Sequence, residues 1–181
     1  MRVVFAGASV VMMATALIAC QTIVDRAASV FFLPSDQVRP ARYSVTTTRG
    51  HDLLLEDGVT LSADLHRPRG LTRAPTILVR VPVTDTAFNR LRSDAIGRFW
   101  AARGYNVVVQ GTRGRYRSGG AFEPLVHERD DGLATLVWLH ARSWHDGRLA
   151  MWGGSAFGHT QWVIVDRTDA APDAYFIQIA S

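Results

Sequence analysis

Two runs, "PTILVRVPV" from Pro75 and "YNVVVQ" from Tyr105, are apolar and rich in β-branched residues at nearly every position. Strands that read this way are buried on both faces, as in parallel sheets. Between them lies "SDAIGRFWAARG". It is too long for a hairpin loop, and a parallel pair needs a crossover. Ser93 is the expected N-cap of that crossover helix, Ile96, Phe99 and Trp100 its apolar stripe, and Gly104 its stop. The alternation continues. "ERDDGLATLVWLHARSW" reads as a helix with acids in its first turn and Leu133, Leu136, Val137 and His140 on one side. "GRLAMWG" reads as a strand, "SAFGHTQWVIVDR" as a helix and "DAYFIQIAS" as a last strand. Ahead of the series, "HDLLLEDGVTLSADLHRP" turns at Asp57-Gly58, a strong hairpin signal. There Leu61, Ala63 and Leu65 alternate with Ser62, Asp64 and His66, as on a half-buried strand. The expected class is α/β: a hairpin, then a mostly parallel sheet with helices on both faces.

The start of the chain follows a different logic. "MRVVFAGASVVMMATALIAC" has Arg2, an apolar run from Val3 to Ala19, then Cys20, the single cysteine. Charge, apolar stretch and small residues form the order of an export signal. The ending Leu17-Ile18-Ala19-Cys20 resembles a bacterial lipobox, which implies acylation of Cys20 and cleavage before it. An uncleaved signal anchor is the alternative, since the run nearly spans a bilayer. In both readings the rest is exported and tethered to a membrane. The expected organisation is a signal over 1–20, a tether over 21–50 and a folded region over 51–181. A single cysteine allows no internal disulfide.

Composition excludes some functions. The chain has 181 residues, 48% hydrophobic, with a formal charge of +4, so a sizeable core is available and disorder is excluded. Its 20 basic residues are all arginine and are interleaved with 16 acids, which describes a mixed solvated surface rather than a nucleic-acid patch. "GTRGRYRSGG" lacks the lysine and spacing of a P-loop and reads as a structural loop. The histidines are dispersed without metal-ligand spacing, and no cofactor is expected. Trp138, Trp144, Trp152 and Trp162 are expected to face the core.

Chemistry concentrates at "LAMWGGSAFGHTQWVIV". Ser155 follows a strand and opens a helix, with Gly153 and Gly154 before it and Gly158 after it. In a nucleophile elbow this layout projects a hydroxyl from the sheet edge and aims backbone N–H groups at a developing oxyanion. The competing reading is a glycine turn with Ser155 as an ordinary helix cap.

The collinear stretches "DGVTLSADLHRP", "RGYNVVVQGTRGRYRSGG", "ERDDGLATLVWLHARSW" and "GRLAMWGGSAFGHTQW" together resemble the cocaine esterase and Xaa-Pro dipeptidyl-peptidase group of α/β-hydrolases. The resemblance runs from about Leu54 to Ser181. It implies acyl transfer on a small ester or peptide-like amide. Ser155 would be nucleophile and the Ala156 N–H one oxyanion donor. Arg113 would pair with a carboxylate or with backbone carbonyls, although Gly111 stands where the group usually has an acid.

Two departures qualify the expectation. The group's oxyanion tyrosine falls on Val83, which has nothing to donate; the neighbouring Thr84 hydroxyl is a candidate substitute. The acid and histidine of the triad follow the nucleophile in such folds, beyond the strand ending at Ser181. His159 lies one helical turn past Ser155, but the elbow directs the serine hydroxyl up and away from the helix body, out of its reach. His51, His66, His127, His140 and His145 precede the serine and read as surface or edge residues. Asp166, Asp169 and Asp173 read as a polar loop. The 181 residues are thus expected to be the amino-terminal part of a longer hydrolase, or else an inactive remnant acting at most as a binding lipoprotein. Expressed alone, residues 21–181 should aggregate, since the last strand would expose an apolar edge. A monomer with a cooperative melt would contradict that.

Overall fold

The computed structural model describes residues 38–165 and 170–178. Cys20 and the signal stretch lie outside these residues, as do Asp166 and Asp169. The sheet lies within a compact unit beginning at Ala41. Its elements are β1 (Val45–Arg49), β2 (Leu53–Leu54), β3 (Thr60–Leu61), β4 (Ala63–Pro68), β5 (Ala74–Val81), α1 (Ala87–Ala101), β6 (Asn106–Gly111), α2 (Glu128–His140), β7 (His145–Gly154), α3 (Ala156–Trp162) and β8 (Ala174–Gln178). Six strands form one sheet in the order β1-β4-β6-β5-β7-β8, while β2 and β3 form a separate ribbon. The β6-β5-β7-β8 block is parallel, and β4 and β1 extend it antiparallel. This is the expected α/β architecture. The stretch read as a tether, 21–50, overran: β1 lies inside it and pairs along its length with β4.

Alternation along the strands sorts the core into two layers. Leu78, Val108, Leu149 and Met151 share a cluster with Leu136 and Leu139 of α2 and with Ile164, two residues past α3. Ile77, Val79, Val107 and Val109 face the other way, toward α1. The N-cap of α1 is Thr86, whose hydroxyl accepts from the Asn89 N–H at 3.1 Å, so the helix starts earlier than the sequence indicated. Ser93 is no cap; it is buried mid-helix. On α2 the buried face is Asp131, Thr135, Leu136 and Leu139, whereas Val137 is 64% exposed. The apolar stripe read there was displaced because polar residues of this face are buried in ion pairs. Trp144 and Trp152 are core residues as expected, and Trp138 packs against the core, but Trp162 is 54% exposed.

β4 departs most from the expectation. Asp64 and His66 were assigned to a solvent face, yet both are buried. α1 covers this face so closely that a Cβ on Gly97 would overlap the His66 ring. His66 Nδ1 bonds the Thr47 hydroxyl at 2.9 Å. His145, also read as a surface residue, is buried with Nδ1 on the Thr76 hydroxyl at 2.8 Å. Burial pushes the His66 pKa down from 6.5 to about 4, against the opposing pull of Asp94 and Asp64. Folding therefore favours neutral His66, and the unfolded chain takes up the proton first. This contribution to stability is complete above pH 6.5, is lost as pH falls toward about 4, and does not change further below it. Denaturation of the purified protein followed across pH 3–8 should show this loss, and a His66→Gln variant should flatten it.

Candidate active site

β7 ends at Gly154 and α3 begins at Ala156, so Ser155 alone makes the turn. Its backbone sits at φ 55°, ψ −131°, a region that costs a non-glycine residue on the order of 1–3 kcal/mol. The tertiary structure holds it there. The Ser155 N–H donates to the Gln178 carbonyl at 2.7 Å, the position where β8 runs beside the end of β7. The two glycines are required by contact. A Cβ on Gly154 would lie 2.8 Å from the Gln178 carbonyl oxygen, and one on Gly153, at φ 151°, would overlap Phe157. After the turn, the Ser155 carbonyl accepts from the Gly158 N–H at 2.8 Å.

The Ser155 side chain makes no cap hydrogen bond and the residue is exposed. The N-cap reading is therefore excluded: a capping serine has β-region angles and bonds the first turn. Ala156, at the first position of α3, lines a pocket of about 220 Å³ with Pro82, Phe122, Leu125, Glu128 and His159. Val83, next to Pro82, is half-buried and its side chain carries no donor. Thr84 is exposed, and its carbonyl accepts from the Asn89 amide. His159 shares the pocket, but its backbone N–H, not its ring, meets Ser155, at the carbonyl. Asp173 is an inter-strand tie; its carboxylate accepts from the Leu149 N–H at 2.8 Å. His127 pairs with Glu123 and His140 meets the Ala170 carbonyl. Among the described residues, no imidazole or carboxylate is hydrogen-bonded to the Ser155 hydroxyl, and no group of ligands is placed to hold a metal ion. No described helix is long and apolar enough to cross a membrane.

Polar residues that the sequence reading passed over build the pocket wall. Arg80, inside an apolar strand run, is fully buried. Its Nη1 donates to the Glu128 carbonyl at 2.7 Å and lies 3.1 Å from the Glu128 carboxylate. Burial pushes Arg80 down and Glu128 up, each partly offset by the other's charge. Arg113 finds its carboxylate on α2: it grips Asp131 with two bonds, at 3.1 and 2.8 Å, and reaches Asp57 in the β2–β3 turn. Asp131 thus serves where Gly111 cannot. A lone charge inside an apolar run was the available signal for Arg80, since a buried cation requires a partner.

A parallel-centred sheet with α1 on one face, α2 and α3 on the other, and a strained serine at the end of an inner strand defines the α/β-hydrolase fold. Solved structures agree. A CocE/NonD family hydrolase from Staphylococcus aureus superposes with a TM-score of 0.60 at 18% identity, over 80% of this chain and 32% of that one. An α-amino acid ester hydrolase gives 0.58 at 25% identity, over 76% and 26%. In sequence, the cocaine esterase of Rhodococcus sp. (strain MB1 Bresler) is 38% identical over 109 residues, 60% of this chain and 19% of the esterase. Residues 57–181 match the X-Pro dipeptidyl-peptidase (S15 family), and the chain belongs to that family. It spans about a fifth of the esterase's length and a quarter to a third of these structural relatives.

The strain at Ser155 is measurable. Glycine tolerates these backbone angles and alanine does not. Ser155→Gly should be more stable than Ser155→Ala by about 1 kcal/mol in chemical denaturation. Equal stabilities would show that the turn is relaxed.

Proposed function

We propose that this chain carries the nucleophile of a serine hydrolase that cleaves a small ester or peptide-like amide. The carrying observation is Ser155: an exposed hydroxyl, free of capping bonds, on a left-handed turn between an inner strand and a helix. Ser155 Oγ attacks the carbonyl carbon, and the Ala156 N–H at the start of α3 stabilises the oxyanion. Collapse expels the alcohol or amine, leaving an acyl-serine, and water then releases the acid. The pocket beside Ala156 would receive one arm of the substrate. The Val83 side chain offers no second oxyanion donor. The reading takes the acid and imidazole from outside the described residues. Family membership and the likeness to cocaine esterase support it. The sequence ending at Cys20 further supports an exported protein with a lipid anchor.

A fluorophosphonate probe is expected to label the native protein at Ser155, and Ser155→Ala should abolish labelling. An unlabelled Ser155 would favour an inactive remnant. Val83→Tyr, adding a side-chain donor, should raise ester turnover, by at most roughly 10²–10³-fold. No gain would mean that another group fills the second donor position.

A further inference from the structure

We infer that Arg92 is an anion subsite beside Ser155, suited to a substrate whose apolar arm ends in a carboxylate. The inference rests on the reading of Ser155 as nucleophile. α1 carries three arginines, Arg90, Arg92 and Arg98. Arg90 pairs with Asp85 at 2.9 Å and Arg98 with Asp94 at 2.7 Å. Arg92 has no carboxylate partner among the described residues. Its Nε is buried without a hydrogen bond, and burial alone pushes its pKa down, with no acid opposing the shift. Its guanidinium carbon lies 4.7 Å from the centroid of the Phe157 ring. Such stacking neither neutralises the charge nor satisfies the buried donor.

Position gives this unpaired cation its meaning. Phe157 is the second residue of α3, and its Cβ packs where Gly153 has none. The elbow geometry therefore sets the ring, and the ring against which Arg92 stacks belongs to the second residue after Ser155. Phe88, one helical turn before Arg92, and the adjacent Leu91 are 71% and 70% exposed. An apolar flank ending in a half-buried guanidinium suits a hydrocarbon chain with a terminal carboxylate, which guanidinium binds by two parallel bonds. On the other side, the pocket beside Ala156 is lined by a carboxylate, Glu128, and by no arginine, so an anionic arm favours Arg92.

The test compares two 4-nitrophenyl esters of equal chain length, the hemiglutarate and the uncharged pentanoate, on native protein, Arg92→Gln and Arg92→Lys. The preference in kcat/KM for the anionic ester should fall about 10- to 100-fold in Arg92→Gln, through KM, with partial recovery in Arg92→Lys. An unchanged preference, with turnover still dependent on Ser155, would overturn the subsite and leave the hydrolase intact. If native protein neither turns over the esters nor takes the fluorophosphonate, the hydrolase reading fails by itself. Calorimetric binding of glutarate then decides the subsite: binding lost in Arg92→Gln upholds it, and no binding to native protein overturns it.

Discussion

The backbone of Ser155 is held in a conformation it would not adopt alone, and the register of β7 against β8 holds it. Gly154 stands opposite Gln178, whose carbonyl accepts the Ser155 N–H and leaves no room for a side chain on Gly154. The strand pairing thus sets where the chain must reverse, and Gly153 lets Phe157 close over the reversal. A strained residue persists only when its surroundings over-determine it. Here they do so with one backbone hydrogen bond, two missing side chains and an aromatic contact.

Buried ion pairs position the rest of the site. Arg80 extends from the central strand to Glu128 at the start of α2, fixing the pocket wall to the sheet. Arg113 joins the β2–β3 turn to α2 through Asp57 and Asp131. Tyr116 and Arg117, both at positive φ, bring their side chains onto Asp64 of β4. Burying such charges costs more than an exposed pair returns, and breaking one pair leaves an uncompensated ion. These ties therefore specify loop positions more than they add stability. Arg92 is the exception on α1, which is why it reads as reserved for a ligand.

Most of the succession of strands and helices was legible in the sequence, because β-branched runs separated by helix-length segments mark a parallel α/β fold; the order of strands across the sheet was not. The Asp57-Gly58 turn and the Gly153–Ser155 turn were legible for a related reason: glycine at a fixed offset records a backbone that other residues cannot follow. The errors fell where polar residues are buried. His66 and Asp64 looked solvent-facing by alternation, but α1 covers them. Ser93 looked like a cap, but the helix began at Thr86. The stripe on α2 was sought in apolar residues, while its inner face carries Asp131 and Thr135. Periodicity reads burial from hydrophobicity and cannot detect a polar group buried with its partner.

By itself the sequence determined the α/β class, the strand–turn–helix frame around Ser155 and the absence of a side-chain donor at Val83, since each depends on local propensity or on the identity of one side chain. Tertiary structure alone decided that Ser155 is no helix cap, that Asp131 takes the place Gly111 leaves vacant, that His66 is held neutral and that Arg92 has no carboxylate partner among the described residues. These facts depend on pairs of residues far apart in the chain, and only the packing of strands and helices brings such pairs together or keeps them apart.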